Sequence, residues 1–507
     1  MKTGIDLGTT FSLISALQKD GRPTLLPDNT FRDLFSSPSA IHISDGNAIV
    51  GYMVDTLLEE KPDLQVLRFF KRNFGETNPL FFDDKGNGWL PEALGALMLK
   101  KLRFDAESFA GFPVEGAVIT VPAHFNDLQR KSVINAAAMA DLPLLGLVEE
   151  PVAAALHYGV STGAHDKVIV VYDLGGGTFD ATILSLDAHG VYVLAKDGIT
   201  ELGGKEFDEA IGSMLLDQFE RMHKFPMPIN ALTSLQLRRI AEEIKIELSI
   251  PNKTFLKKAI LIGNHAFEIM IYRRDFENAI RAMIDATIEV TMRCIDGAGL
   301  HEKDIDSLML VGGSSMIPYV KERLSKLFTG GMSKIFFHEP MKAVAYGAAL
   351  HAAQLSGEAG AFDIPPEFRG VTGYNIGVQT LNPRTGKMEV DCLIRKNMPL
   401  PAKASRTYYT SSSTQDKIRL QVVQYNEAGS KVTPIGELVV GPIPNPQINY
   451  PVEISIENSS DGTVRIEAFD PGTGVELAQT FGLDGTDGTM LLLQQKALVQ
   501  GVFINNL

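Results

Sequence analysis

Val168-Ile169-Val170-Val171-Tyr172-Asp173-Leu174-Gly175-Gly176-Gly177-Thr178-Phe179-Asp180 is the stretch on which the fold is read. Val168 to Tyr172 are apolar and mostly β-branched, which predicts a buried strand. Three consecutive glycines weaken a strand interior, so they predict a tight hairpin turn. Without side chains, their backbone N–H groups can approach and hold an anion. The flanking carboxylates repel phosphate but can hold a hydrated Mg²⁺ that binds it. A variant of the same unit opens the chain: Gly4-Ile5-Asp6-Leu7-Gly8-Thr9-Thr10. One Asp-Leu-Gly turn is common hairpin chemistry. Two, each followed by Thr, point to two phosphate loops facing one nucleotide. Neither a Walker loop nor a dinucleotide fingerprint occurs.

The chain has 507 residues, 45% of them hydrophobic and 21% charged. That length fits about two to four domains with substantial cores. A net charge of -14 argues against a nucleic-acid or anionic-membrane partner, which needs a basic face. The cysteines, Cys294 and Cys392, lie far apart, so a disulfide or a cysteine-based metal site is not expected and a reducing compartment fits. No signal segment or bilayer-length apolar run stands out, and a cytoplasmic location is expected. The histidines are scattered and read singly as surface or core residues.

Strands and helices alternate after the first hairpin, predicting an α/β domain with a mixed sheet. Gly116–Pro122 reads as a buried strand, Pro91–Phe109 and Asp127–Met139 as helices, and Glu149-Glu150-Pro151 precedes another. Leu202-Gly203-Gly204 leads into a helix over Lys205–Met222. The helix over Ser234–Ser249 carries Glu242, Lys245 and Ser249 opposite its apolar face, where Glu242 and Lys245 alone read as an exposed ion pair. Leu310-Val311-Gly312-Gly313-Ser314 is a strand–Gly-Gly–helix junction of the kind that presents backbone to a ligand. Lys71, alone, reads as a solvated lysine on a helix. Gly357, Gly360, Pro365 and Pro366 mark residues 356–370 as a linker. Beyond it, alternating strands such as Ile418–Tyr425 and Val464–Phe469 predict an all-β sandwich over 371–484. Residues 485–507 are apolar and short.

These motifs, with Val121-Pro122-Ala123-His124-Phe125-Asn126-Asp127-Leu128-Gln129-Arg130 and Glu150-Pro151-Val152-Ala153-Ala154-Ala155, resemble the seventy-kilodalton heat-shock chaperone family of the DnaK type, and within it the smaller specialised bacterial branches. The resemblance is strong over residues 1 to about 355 and holds in outline over 371 to about 482. It implies a two-lobed actin-like (ribonuclease H-like) ATPase domain over 1–355, then the linker, the peptide-binding sandwich and, at 485–507, a remnant of a helical lid. It implies ATP or ADP with Mg²⁺, and K⁺ as a further ion. Asp6 and Asp173 would organise the metal through water. Gly8, Thr9, Thr10, Gly175, Gly176 and Gly177 would cradle phosphates. Lys71, Glu150, Asp173, Thr178 and Asp180 would form the catalytic set around the attacking water. Gly203 and Gly204 would sit by the phosphates and ribose, Glu242, Lys245, Ser249, Gly312 and Gly313 by the adenosine, and Ser314 would also bind the nucleotide. Pro122 and Arg130 resemble the relay to the sandwich, whose groove would correspond to Val378, Leu381, Tyr408, Ser411, Ile418 and Leu420. The implied partners are unfolded polypeptides, a J-domain co-chaperone and a nucleotide-exchange factor.

The chain departs from the pattern at Met316, where an arginine is usual, at Lys205, where an acid is usual, and at Met341-Lys342 in place of an acidic pair. The linker lacks leucines flanked by aspartates. Two other classes fit parts of the pattern: an actin-fold phosphotransferase on a small metabolite, and an ATP-switched scaffold or regulatory protein. The sandwich argues against the first; ATP-dependent sedimentation would reveal the second.

Overall fold

The computed structural model describes the chain except residues 62, 165, 188, 329, 359–366, 382–384, 427–431, 444–446, 472–475, 477, 483–484 and 506–507. The side chains of 231, 332, 367–368, 381, 478–482 and 485–489 also lie outside the described set.

Two six-stranded sheets share one design. In the first, Lys2–Asp6 runs parallel to Gly116–Val121, which runs parallel to Leu144–Glu149, and Phe11–Leu17 pairs antiparallel on the other side. In the second, Lys167–Leu174 runs parallel to Ser307–Val311, which runs parallel to Ile335–Phe337, and Phe179–Leu186 and Gly190–Ile199 follow antiparallel. The two Asp-Leu-Gly units therefore leave equivalent central strands. Strands covered on both faces are apolar throughout, and Ile169 to Tyr172 are fully buried.

Helices Glu150–Thr162 and Ala343–Leu355 pack on each other and on these sheets. Their small residues are required by distance. A Cβ on Gly347 would lie 1.7 Å from the Ala153 carbonyl oxygen, and one on Gly4 would lie 2.1 Å from the Ala349 nitrogen.

The all-β part consists of a five-stranded sheet centred on Ile418–Tyr425 and a three-stranded sheet of Ala402–Tyr409, Pro451–Asn458 and Val464–Phe469. Alternate residues point inward, so Ile418, Leu420, Val422, Ile454, Ile456 and Ile466 form one core.

Three expectations are revised. Much of the expected linker, 359–366, lies outside the described residues, but Glu367–Arg369 is a strand that extends the second sheet by pairing parallel with Gly190–Ile199. Lys71 is in a short 3-10 turn, Phe70–Asn73, and is buried. Residues 485–507 do not sit on the sandwich alone. Helix Gly485–Gly501 packs on Pro91–Ala110 and Asp127–Met139, and Phe503–Ile504 pairs with Asn47–Val50. Val499 and Val502 join the core around Trp89.

The sandwich sits against the α/β part through buried polar contacts. Asp127 Oδ1 accepts the Val464 amide at 2.7 Å, and Gln424 Oε1 accepts the Asp127 amide at 3.0 Å. Arg130 donates to the Asp461 carbonyl at 2.8 Å, and the Tyr374 hydroxyl donates to the His124 carbonyl.

Candidate nucleotide site

The turns after the equivalent strands meet. A Cβ on Gly176 would fall 2.0 Å from Thr10 Oγ1, and one on Gly177 would fall 2.8 Å from Thr9 Cγ2. Only glycine lets these loops come so close. Within each loop the backbone is tied down. Gly175 N–H donates to the Thr178 carbonyl at 3.1 Å, and the Gly8 carbonyl accepts from Ser39 Oγ at 2.8 Å. The glycine turn is then capped by the start of helix Gly204–His223. Gly204 and Lys205 N–H groups donate to the Gly175 and Gly176 carbonyls at 3.0 and 2.9 Å. Cβ atoms on Gly203 and Gly204 would strike Gly177 and Ser314.

These loops border a cavity of about 420 Å³ lined by Asp6, Gly8, Thr9, Thr10, Lys71, Glu150, Asp173, Gly175, Gly176, Thr178, Gly204, Glu242, Lys245, Gly312, Gly313 and Ser314. That brings together most of the residues expected from the sequence. Gly177 and Gly203 stand behind the lining and close the loop–helix contact. Ser249 is not in the lining; its hydroxyl donates to the Lys245 carbonyl at 2.8 Å. Asp180 is also behind it, and its Oδ1 accepts the His124 amide at 3.2 Å and lies 2.7 Å from His124 Nδ1. Asp180 is therefore a buried anchor for the 122–130 segment in this structure and does not border open space.

The cavity floor is rich in carboxylates. Lys71 Nζ is 2.7 Å from Glu150 Oε1 and only 3% exposed. Thr120 Oγ1 donates to Asp6 Oδ1 at 3.1 Å. Burial, then the nearby Glu150 carboxylate, pushes Asp6 up to about 7, and the same two causes lift Asp173 well above the usual carboxylate range. One ammonium thus faces Asp6, Asp173 and Glu150. Hard oxygen donors short of positive charge suit Mg²⁺, so the residues fit that ion.

The nucleoside side differs from the sequence reading in one ion pair. Lys245 is buried, and it pairs with Asp208 at 2.8 Å, not with Glu242. Burial raises Asp208 to about 6 despite that lysine. Met316, Met341 and Lys205 all line the cavity, and Lys205 Nζ lies 5.8 Å from the Phe69 ring centre.

Sequence reasoning missed Asp208, Phe69, Arg238 and His124. It also missed Arg72, whose two terminal nitrogens donate to Glu206 at 2.8 and 2.9 Å. That bidentate pair joins a segment of the first sheet's half to the helix that caps the glycine turn. A helix-face projection of 204–223 would have flagged Asp208, because it shares the buried side with Phe207 and Ile211.

Val378, Ile418 and Leu420 lie in the sandwich core. Tyr408 packs at its edge, with its hydroxyl donating to Asp391 Oδ2 at 2.9 Å. Ser411 is exposed, and the side chain of Leu381 lies outside the described residues. Both cysteines are free. Among the described residues, no helix is long and apolar enough to cross a membrane.

The family model described as "Hsp70 protein" matches residues 2–486. Three relatives named "Chaperone protein DnaK" align along most of the chain. The Thermosipho melanesiensis protein is 32% identical over 95% of this chain and 80% of its own length. The Thermosipho africanus protein is 32% identical over 93% and 78%, and that of Halobacterium salinarum 33% identical over 96% and 75%. Paired glycine loops, a carboxylate floor suited to Mg²⁺, and an α/β part followed by a sandwich are thus joined to a match spanning nearly the whole sequence: the chain belongs to the Hsp70 family, ATP-hydrolysing chaperones built from an actin-like ATPase domain and a β-sandwich.

Proposed function

We propose that ATP lies between two lobes, one on each six-stranded sheet, with its phosphates held by both hairpin loops. The observation that carries this reading is the contact of Gly176 with Thr10 at the cavity that Asp6, Asp173, Lys71 and Glu150 also line. Thr9, Thr10 and the Gly176 amide bind the phosphate oxygens, while Gly175 and Gly177 shape the turn that presents them. Asp6 and Asp173 would hold a hydrated Mg²⁺ through its waters, and the ion would supply positive charge to the phosphates. K⁺ is proposed for the same carboxylate floor. Lys71, Glu150 and Thr178 hold the attacking water in line, while Asp180 supports them through His124. Such a site works by positioning and charge stabilisation. Lys245, Glu242 and Gly312–Ser314 border the adenosine, with Ser249 supporting Lys245 from its helix.

The sandwich is the proposed peptide-binding part. Tyr408 and Ser411 border the proposed groove, and Val378, Ile418 and Leu420, buried in the sandwich core, lie beneath it. An extended peptide would bind by backbone hydrogen bonds and one buried side chain, and burial of a leucine contributes about 1.5–3 kcal/mol. J-domain and nucleotide-exchange co-chaperones are the proposed regulators. Arg130 and Pro122 link the cleft to the sandwich.

The test is ATP hydrolysis by the full chain with and without an unfolded apolar peptide and a J-domain protein. Stimulation by both together supports the reading. ATP turnover indifferent to peptide but raised by a small metabolite would overturn it in favour of phosphotransfer.

A further inference from the structure

Strand Ile335–Phe337 runs into His338, Glu339 and Pro340 directly behind the cavity wall made by Pro340 and Met341. His338 and Glu339 meet a side chain from another element. His157, on helix Glu150–Thr162, has its Nε2 2.9 Å from Glu339 Oε2. The His157 and His338 rings are 4.9 Å apart at 37°. One donor atom from each of the three residues lies within 4.8 Å of the other two. Tetrahedral ligation at about 2.0–2.1 Å sets neighbouring donors about 3.3 Å apart, a spacing these side chains reach by small rotations.

Plain packing leaves two features here without an account. His157 is 5% exposed, yet its Nδ1 has no hydrogen-bond partner among the described residues. Nε2 carries the proton donated to Glu339, which leaves the Nδ1 lone pair idle; with the proton on Nδ1 instead, Nε2 is the atom that takes an ion. Glu339 itself has a φ of +43°, a left-handed backbone that a glutamate adopts only under constraint. Neutral imidazole is the form that binds a metal.

We propose that His157, His338 and Glu339 form a site for a zinc-class divalent ion behind the nucleotide cavity, with water in the fourth position. Two imidazoles and one carboxylate favour Zn²⁺ and its neighbours over Mg²⁺ or Ca²⁺, which take oxygen ligands. Ser161 Oγ, 3.0 Å from His338 Nε2, supplies a hydroxyl that orients that ring.

The site reaches the cleft from both sides. Pro340, next to Glu339, accepts the Gly312 amide at 3.1 Å. Helix Glu150–Thr162, which carries His157, begins with the Glu150 that pairs with Lys71. An ion joining His157 to Glu339 ties these two walls together, so metal and nucleotide affinities are linked reciprocally. This linkage rests on the nucleotide reading above; the metal site does not.

The full chain, stripped by a chelator, is titrated calorimetrically with Zn²⁺ in excess Mg²⁺ and ADP, and with Co²⁺ for its visible spectrum. One equivalent and the ligand-field bands of tetrahedral Co²⁺ are expected. Changes to outer partners alone cost about 10–100-fold in affinity, so His338→Asn and Glu339→Gln are expected to weaken Zn²⁺ binding by at least about 100-fold. Their metal-free melting curves should match the parent. His157→Gln, at the buried position, adds a third variant. Undiminished Zn²⁺ binding in both His338→Asn and Glu339→Gln, or absence of the Co²⁺ bands, overturns the site. ADP affinity unchanged by Zn²⁺ overturns the linkage alone. ADP binding to the stripped chain is measured separately, so failure of the nucleotide reading is recognised on its own.

Discussion

Replacing Lys71 by alanine separates catalysis from nucleotide binding. Its ammonium is 2.7 Å from Glu150 and is buried beside Asp6 and Asp173. Both aspartates are already raised by burial and by Glu150, and Lys71 opposes that rise. Without it, the floor keeps the carboxylates and loses the cation, so a proton is taken up and the attacking water loses its donor. Loss of one such positioned group costs about 10²–10³ in rate, or about 2.7–4 kcal/mol. On the proposed reading nucleotide affinity rests instead on the two loops and the adenosine side, so it should change by less than about tenfold, or 1.4 kcal/mol.

Breaking a buried pair also destabilises a fold, by about 3–5 kcal/mol when the orphaned charge remains. Glu150 keeps some exposure to water, which places the expected loss at or below the lower end. Lys71→Met with Glu150→Gln removes both charges and should recover most of the stability with none of the rate. The measurements are single-turnover hydrolysis of bound ATP, ADP affinity by fluorescent-nucleotide titration, and thermal melting. Hydrolysis by Lys71→Ala within about tenfold of the parent, or a double variant with normal turnover, refutes the reasoning.

Gly176→Ala places a Cβ 2.0 Å from Thr10 Oγ1, so the loops must part; ADP affinity should fall at least about tenfold with melting nearly unchanged, and parental affinity would dismiss the facing-loop geometry. Asp6, raised from 3.8 to about 7, keeps its proton in the folded nucleotide-free chain over a range in which the unfolded chain has lost it. The fold then binds more protons between those values, and this contribution to stability falls as pH rises through that window. Mg²⁺ needs the carboxylate, so the melting-temperature gain given by Mg²⁺ and ADP should grow from about pH 6 to about pH 8, and Asp6→Asn should flatten it; a gain that shrinks with pH counts against the assignment. Deleting residues from Gly485 onward removes Val499 and Val502 from the Trp89 core, each worth about 1.5–3 kcal/mol. Calorimetry should show a lower melting transition for the ATPase part, and an unmoved transition would mean the helix contributes no packing.

What the sequence disclosed is what local physics determines. The repeated Asp-Leu-Gly-Thr unit carries its own turn chemistry, and the strand alternation after Val371 carries its own period, so the paired loops and the sandwich were both legible. Partners across long separations were not. Lys245 and Asp208 meet only because helices Gly204–His223 and Ala231–Ser249 pack; from the sequence, Glu242 three residues away was the nearer acid. Asp180 shares a motif with Asp173, but its carboxylate turns to His124, on a different sheet's loop. Glu367–Arg369 follows two prolines and reads as linker, yet the exposed edge of Gly190–Ile199 recruits it. Val378, Ile418 and Leu420 illustrate another limit. A period of two tells which side chains share a face, but a core and a groove floor are equally apolar.

The cleft and the sandwich share charged atoms, and this constrains how one can move without the other. Glu149 and Glu150 are consecutive: Glu150 pairs with Lys71 at the cavity, while Glu149 Oε1 takes Arg130 at 2.7 Å and also Lys196. Arg130 in turn holds the Asp461 carbonyl of the sandwich. Asp180 repeats the pattern through His124, whose carbonyl accepts from Tyr374. Buried charges stay stable only while their partners remain. If the sandwich moves away, Arg130 and Asp127 lose the Asp461 and Val464 backbone bonds together, and Asp127, whose carboxyl burial already raises, loses one of the hydrogen bonds that holds it down. Water must then replace several bonds at once, and movement between two discrete arrangements follows more readily than gradual drift. The adjacent carboxylates at 149 and 150 make that same loss felt one peptide away from the lysine at the cavity floor.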